Sequence, residues 1–175
     1  MPLLTALAVS IGALAAVATY LFVGPLAALG LQIWAAFIAW AAFYHSGGKT
    51  AALASNIPAH IFGAFVGWVA LYGVTVLGGS LGVPAAAALT VGIGAFVIVI
   101  AANMPALASI PSAVYGFGCI AAYSLLAGKI ETLTAASIVD NPLINIVVSM
   151  VIGALFGFAS EKIGVAMAKP AAAIA

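Results

Sequence analysis

The chain has 175 residues, of which 67% are apolar and only 4% are charged, against about 25% charged residues in a typical soluble domain. This composition excludes a soluble enzyme and a disordered chain. Four lysines, no arginine and a net charge of +1 also exclude a nucleic-acid binder, which needs a basic surface. At about 20 residues per membrane helix, the apolar residues suffice for about six spans. We therefore predict an all-α, polytopic integral membrane protein with six transmembrane helices, whose partner is the lipid bilayer.

The first two predicted helices lie in residues 1–48, which contain no charged side chain. As one helix this stretch would be roughly 72 Å long, more than twice the ~30 Å thickness of the hydrocarbon layer. Gly24-Pro25 is the natural break, because proline lacks a backbone donor. The sequence predicts helices over 3–23 and 26–44. The first is interpreted as a retained helix, since it lacks the basic start of a signal peptide.

The next three predicted helices lie between Lys49 and Lys129, where His60 is the one ionisable side chain apart from tyrosine and cysteine. Loops are predicted at 78–84 and at Asn103-Met104-Pro105, where glycine and proline cluster. A sixth helix is predicted to begin with Asn141 as its cap and Pro142 at its first position. The four predicted ranges are 51–77, 85–102, 106–127, and 142–160 or a little further.

The charged residues set the predicted domain limits and orientation. Residues 1–168 are expected to form a single transmembrane domain, and the low-complexity segment 169–175 a flexible tail. With a cytoplasmic N-terminus and six spans, three lysines fall inside and one falls outside. This asymmetry predicts that both termini are cytoplasmic. The inside lysines are Lys49, Lys162 and Lys169, and the outside one is Lys129.

A short motif recurs at a spacing of 53 residues. Residues Ile57–Gly63 and Ile110–Gly116 both read I-P-small-x-aliphatic-aromatic-G, which would place helices 2–3 over helices 4–5. A second register, at a spacing of 47, matches Asn56–Ala59 to Asn103–Ala106. Chance similarity between sequences rich in small residues is the alternative.

The motif places Pro58 and Pro111 one to two turns inside helices 3 and 5. Proline leaves a carbonyl without its helical donor, and such breaks persist in membranes when they are buried in protein or line water. Broken helices in corresponding positions of two repeats are typical of a transporter's substrate site. The alternative is a simple kink in a packed helix.

His60 is the most informative side chain, because it lies about nine residues into helix 3, near the predicted bilayer centre. An intramembrane ionisable residue is a functional hypothesis by default. The alternative is a neutral imidazole that binds a carbonyl freed by Pro58. Further polar side chains cluster around the two prolines and are expected either to line a solute path or to cap local backbone. They are Asn56, Asn103, Ser109, Ser112 and Tyr115.

Small residues recur at every fourth position in predicted helices 3, 5 and 6, a spacing that lets membrane helices approach closely, within one chain or between subunits. The glycines expected to pack in this way are Gly63, Gly67, Gly116, Gly153 and Gly157.

No catalytic, metal or cofactor site is predicted. Two histidines and one distant cysteine are too few for a zinc site. The sequence contains neither the paired carboxylates nor the Ser–His arrangement that would indicate an enzyme. It also lacks a buried acid of the kind that ion-coupled pumps use. The predicted function is a homo-oligomeric channel or carrier for a small polar solute, uncharged or weakly acidic. The alternative is a non-transporting accessory subunit that packs through its small-residue faces.

Several segments together resemble one family. Residues Gly30–Phe37, Phe43-Tyr44, Gly47–Lys49, Ile110–Gly116 and Ile152–Gly157 are similar to the YcdZ-like family of small bacterial inner-membrane proteins, a domain of unknown function. The resemblance covers nearly the whole chain. It implies a bacterial inner membrane and one multi-span domain, and it implies no activity and no site residue.

Overall fold

The computed structural model describes residues 1–137 and 139–168, so the predicted tail 169–175 lies outside the described residues. Every regular element in these ranges is helical, which confirms the all-helical prediction. Three short 3-10 helices lie at Ala27–Leu29, Pro105–Leu107 and Ile130–Thr132. The six α-helices are α1 Leu3–Val23, α2 Ile33–His45, α3 Lys49–Leu81, α4 Val83–Ala101, α5 Ile110–Leu126 and α6 Pro142–Met167.

The boundary between α3 and α4 differs from the prediction. The predicted loop at 78–84 is wrong, because α3 continues through Gly78 and Gly79 and ends at Leu81. Only Gly82 separates the two helices, and its φ of +80° is a conformation that glycine adopts without steric cost. Adjacent glycines weaken a helix by about 1 kcal/mol each without ending it.

The starts of α2 and α5 also lie later than predicted. In each case a short 3-10 helix occupies the predicted first turns. Before α2, Gly30 takes a φ of +69° and ends the 3-10 helix, so α2 begins at Ile33. Pro111 is therefore the second residue of α5 and not one to two turns inside it, where it would break helical hydrogen bonds.

The start of α6 agrees with its sequence signal. The Asn141 side-chain oxygen accepts hydrogen bonds from the backbone N–H groups of Leu143 (2.9 Å) and Ile144 (3.4 Å). Pro142 occupies the first position, where a missing N–H costs nothing. The helix continues beyond Glu161 as far as Met167.

Four helices, α1, α3, α4 and α6, are long and apolar enough to cross a membrane. The apolar helices α2 and α5 have 13 and 17 residues, and at 1.5 Å per residue they measure about 20 and about 26 Å. These lengths and compositions indicate a membrane-embedded protein.

The two longest helices, α3 and α6, lie at the centre and contact one another. Helix α3 packs against α4 and α5, whereas α6 packs against α1 and α2. Buried apolar side chains from α2, α3, α5 and α6 form the main core. Its fully buried members include Ala35, Ala39, Ala64, Ile120, Ile146 and Met150.

Glycines set the closest approach of α3 to α5. A Cβ atom on Gly63 would overlap the carbonyl oxygen of Ala113, and one on Gly116 would overlap that of His60. Gly67 lies against Ile120 in the same interface. The two backbones are therefore in direct contact, as is typical of small-residue membrane interfaces.

The interface between α6 and α2 has the same construction. A Cβ atom on Gly153 would overlap the carbonyl oxygen of Ala36, and one on Gly157 would lie 3.0 Å from the ring of Phe43. The close contacts of α3 with α5 therefore recur in α6 with α2. They do not follow the predicted spacing of 53 residues, which aligns Pro58, inside α3, with Pro111 at the start of α5.

A candidate solute site between α3 and α5

Asn56 lies at the centre of a polar cluster where three chain segments meet. Its side-chain oxygen accepts hydrogen bonds from Ser46 (2.9 Å), in the turn between α2 and α3, and from Ser112 (3.0 Å), in the first turn of α5. Ser109, which directly precedes α5, donates to the Ser112 hydroxyl at 2.8 Å. Together with His60, these residues are called the α3–α5 polar cluster.

This cluster leads from the surface into the core. Ser46 is exposed and Ser109 is half-buried, whereas Asn56 and Ser112 are 0% and 1% exposed. Ser109 and Ser112 lie at the start of α5, and Ser46 directly follows the last residue of α2. Serine is common at helix ends because its side chain reaches nearby polar groups. The hydrogen bonds thus form a continuous polar connection from the α2–α3 turn to buried Asn56.

Two buried groups of the cluster have unused hydrogen-bonding capacity. The Asn56 amide nitrogen and both ring nitrogens of His60 have no partner among the described residues, and His60 is only 1% exposed. His60 follows Asn56 by one helical turn, so the two side chains share a face of α3. A buried polar group without a partner costs about 1–3 kcal/mol, which makes this face a place where a hydrogen-bonding molecule would be stabilised.

Local backbone features place this face against α5. Pro58 lies inside α3 between Asn56 and His60, and it lacks the N–H that the carbonyl of Ala54 would otherwise accept. Gly116 brings α5 directly onto the backbone of His60. The unpaired groups therefore lie next to a weakened helix turn and a tight helix contact.

Three of the sequence-predicted residues lie apart from this cluster. Asn103 is exposed and its amide donates to the carbonyl of Ile100 at 2.8 Å, so it caps local backbone. Pro111 is exposed at the start of α5. Tyr115 is half-buried and packs against the hydrophobic core. The structure thus brings together Asn56, His60, Ser109 and Ser112, with Pro58 between the first two.

A second buried polar cluster, between α2 and α6, did not emerge from the sequence. The Ser149 hydroxyl accepts from the backbone N–H of Gln32 (2.8 Å) and donates to the carbonyl of Asn145 (2.6 Å). The Asn145 amide donates to the carbonyl of Val139 at 2.8 Å. We call Gln32, Asn145 and Ser149 the α2–α6 polar cluster. Its sequence signal is a pair of polar residues, four apart, in the otherwise apolar first half of α6.

Asn145 in this second cluster also has an unused atom. It is 0% exposed, and its side-chain oxygen has no partner among the described residues. By contrast, the buried hydroxyl of Ser160, elsewhere on α6, is fully engaged by Trp40, Tyr44 and the carbonyl of Gly157. Buried polar atoms without a hydrogen-bond partner therefore occur at a few sites and not throughout the described part of the bundle.

Ionisable side chains do not gather into a metal site in residues 1–137 and 139–168, which hold no group of three or more His, Cys, Asp or Glu close enough to bind an ion. The two polar clusters consist of amides, hydroxyls and one imidazole. Such groups can bind a solute through hydrogen bonds, and they offer no fixed charge.

One comparison with known proteins gives a match. A family model described as "Protein of unknown function (DUF1097)" matches residues 8–165. The chain belongs to this family. The matched range includes every residue of both polar clusters. No curated protein and no solved structure matches the chain.

Proposed function

We propose that the protein is a membrane channel or carrier for a small neutral solute that forms hydrogen bonds, and that the α3–α5 polar cluster binds this solute. The observation that carries the proposal is the pair of neighbours His60 and Asn56. Both are buried, and both have nitrogen atoms without a hydrogen-bond partner among the described residues. Polar groups inside a membrane protein are costly, and they commonly mark substrate pathways.

The chemistry of the cluster favours an uncharged solute. A charged solute inside the bundle would need an opposite charge or many dipoles to offset its lost hydration. The cluster has only the Asn56 amide, the His60 imidazole and three hydroxyls. A neutral molecule could accept a hydrogen bond from the Asn56 nitrogen and exchange one with His60 at little desolvation cost. A weakly acidic solute would therefore cross in its neutral form.

The proposed topology has six spans, with both termini in the cytoplasm. The resemblance to the YcdZ-like proteins favours the inner membrane of a bacterium as the location. The short helices α2 and α5 gain length from the 3-10 helices before them, so that 27–45 and 105–126 each approach the length of a span. Under this topology Lys49 and Lys162 lie inside and Lys129 outside, as the distribution of positive charge favours.

A homo-oligomer is part of the proposal, although its interface differs from the one that the glycine pattern suggests. The five packing glycines are used within the chain. A glycine with open surroundings, Gly92 on α4, offers another small-residue position where a second subunit could approach. The alternative, an accessory subunit, would likewise bind its partner through open positions and not through the five packing glycines.

Solute flux into proteoliposomes tests the proposal. Light scattering after a concentration jump would compare urea, formamide, glycerol, acetate and ammonium. We expect flux of a neutral solute that falls with His60→Ala and Asn56→Ala. The matched controls are His45→Ala and Asn103→Ala, which remove the same side chains from exposed positions. No flux of any solute above empty liposomes would overturn the proposed function, and unchanged flux in folded His60→Ala and Asn56→Ala would remove the cluster from the route.

A further inference from the structure

The first and second halves of the chain resemble one another at three spacings. Residues Ala8–Gly12 in α1 and Ala88–Gly92 in α4 read A-aliphatic-hydroxyl-aliphatic-G at a spacing of 80. Pro25, two residues before the first 3-10 helix, and Pro105, the first residue of the second 3-10 helix, have the same spacing. The order of elements in the first half, from α1 through a 3-10 helix to α2, therefore recurs from α4 to α5.

The third helix of each half has the closest sequence match. Gly63–Trp68 in α3 and Gly153–Phe158 in α6 both read G-A-x-x-G-aromatic, at a spacing of 90. The second helices, α2 and α5, correspond at a spacing of 77, which aligns Trp40 with Phe117. The spacing changes only between helices, mainly because the α5–α6 connection is longer than the three-residue α2–α3 turn.

The helix contacts follow the same spacings independently of the sequence match. The contact of Gly63 with Ala113 corresponds to the contact of Gly153 with Ala36. Gly153 lies 90 residues after Gly63, and Ala36 lies 77 residues before Ala113, which are the spacings of the sequence match. The contact of Gly67 with Ile120 corresponds to that of Gly157 with Phe43 at the same two spacings. Two contacts in one register show that α3–α5 and α6–α2 are equivalent interfaces.

Each half of the chain contains three helices, and this odd number determines how the two halves are oriented relative to one another in the membrane. If all six helices cross the membrane, an odd number in the first half makes the second half enter from the opposite face. The α1–α2 and α4–α5 connections, which correspond, then lie on opposite sides. This is the arrangement of inverted-repeat transporters.

The two polar clusters then lie at opposite faces of the membrane. The α3–α5 cluster uses Ser46 and Ser109, from the α2–α3 and α4–α5 connections. The α2–α6 cluster uses Gln32 and the carbonyl of Val139, from the α1–α2 and α5–α6 connections. Ser109 and Gln32 also correspond at the spacing of 77, and each directly precedes its helix.

We infer that the chain is an inverted repeat of α1–α3 and α4–α6, and that Gln32, Asn145 and Ser149 form a second solute site, at the membrane face opposite the first. This inference rests on the proposed function for the identity of its ligand. Of the two amide atoms that have no partner in the part of the chain that the structure describes, the Asn145 oxygen is a hydrogen-bond acceptor and the Asn56 nitrogen is a donor. A solute that uses both sites therefore carries both a donor and an acceptor and no charge, as urea, formamide and glycerol do.

Cysteine labelling tests the inverted repeat without any solute. Cys119→Ala removes the single cysteine, and Leu29→Cys or Met104→Cys then places a thiol in the α1–α2 or the α4–α5 connection, at exposed positions. A membrane-impermeant maleimide is expected to label Leu29→Cys from outside the cell and Met104→Cys only after the membrane is opened. Labelling of both from the same side would overturn the inverted repeat.

Solute flux tests the second site. We expect Asn145→Ala and Ser149→Ala to lower urea, formamide or glycerol flux about tenfold, as the loss of a hydrogen bond to the solute implies. Ser124→Ala, another buried hydroxyl that belongs to neither cluster, is the control and should keep wild-type flux. Gel filtration and thermal unfolding in detergent identify folded variants.

The outcomes separate the second site from the proposed function. Wild-type flux in folded Asn145→Ala would overturn the second site, and if this variant does not fold, wild-type flux in the milder Ser149→Ala would do so. A failure of wild-type protein to carry any solute would instead overturn the proposed function, while the labelling result still decides the inverted repeat.

Discussion

Ser112 in α5 donates a 3.0 Å hydrogen bond to the side-chain oxygen of Asn56 in α3, and both residues are buried. This bond joins two helices whose backbones are in direct contact at Gly63 and Gly116. It also fixes the orientation of the Asn56 amide, because an oxygen that accepts from Ser112 and Ser46 leaves the nitrogen directed elsewhere. The direction of the N–H group that we propose binds a solute therefore depends on these two hydroxyls.

Ser112→Ala is expected to lower protein stability and solute flux together. The loss of a buried hydrogen bond costs about 1 kcal/mol of unfolding free energy, and the Asn56 amide gains freedom to rotate. Denaturant titration in detergent measures the first effect and proteoliposome flux the second. The double variant with Asn56→Ala should lose less stability than the sum of the two single-variant losses, because both single variants break the same hydrogen bond. Full additivity would contradict this coupling.

Gly63→Ala and Gly153→Ala are expected to destabilise the protein by similar amounts. In each variant the new methyl group would overlap a backbone carbonyl oxygen of the partner helix, at Ala113 or at Ala36. Backbone cannot move aside as a flexible side chain can, so overpacking of about 1–3 kcal/mol is expected at each site. Unfolding in detergent measures both losses.

Gly12→Ala and Gly118→Ala are the controls for the packing prediction. Both glycines are helical, and a Cβ atom would meet nothing within 4 Å at either position. Alanine favours helix over glycine by about 0.5–1 kcal/mol, so these variants should be neutral or more stable. A loss at Gly12 or Gly118 as large as that at Gly63 would show that direct overlap is not the cause.

The helical architecture could be predicted from local signals, whereas the arrangement of the helices could not. Gly24-Pro25 and the Asn141-Pro142 pair gave the end of α1 and the start of α6, because capping and proline effects act over a few residues. The glycines at 78 and 79 predicted a loop that does not exist, since a glycine alone permits a turn without requiring one. Which helices neighbour one another depends on packing between distant segments.

The polar residues of the first site could be predicted in part for the same reason. Asn56, Ser109 and Ser112 lie one or two residues from Pro58 or Pro111, which is a local feature of the sequence. Ser46 and Asn145 were missed because their roles depend on contacts with α3 and with the α5–α6 connection. Asn103 has the same local pattern as Asn56 but caps its own turn, since no second helix packs over it closely enough to bury it.

The start of α3 is stabilised by a carboxylate from the far end of the chain. The backbone N–H of Lys49 donates to the side chain of Glu161 in α6 at 2.7 Å, and Gly48 lies directly beneath this carboxylate. Lys49 is held at a φ of +62°, the one non-glycine residue with positive φ among the described residues. The Glu161 side chain therefore acts as a cap for α3, while the backbone at Lys49 is strained.

Glu161→Ala is expected to destabilise the protein by about 1–2 kcal/mol, since it removes a charged acceptor from a helix start. Glu161→Gln retains an acceptor atom and should lose less. Glu131→Ala, which removes an exposed carboxylate from the α5–α6 connection, is the control and should change stability little. Thermal unfolding in detergent measures all three, and equal stability of Glu161→Ala and the wild type would exclude the capping role.

Lys49→Gly is expected to stabilise the protein despite the loss of a charge. A non-glycine residue in the left-handed region destabilises the folded state by about 1–2 kcal/mol, whereas glycine adopts that conformation freely. Glycine also raises the entropy of the unfolded chain, which offsets part of this gain. The net gain should therefore be about 1 kcal/mol or less. Lys49→Ala is the matched control, because it removes the same amino group and keeps the strained backbone. If the two variants have the same melting temperature, the strain at residue 49 contributes nothing to stability, and if Lys49→Gly alone rises, the strain is the cause.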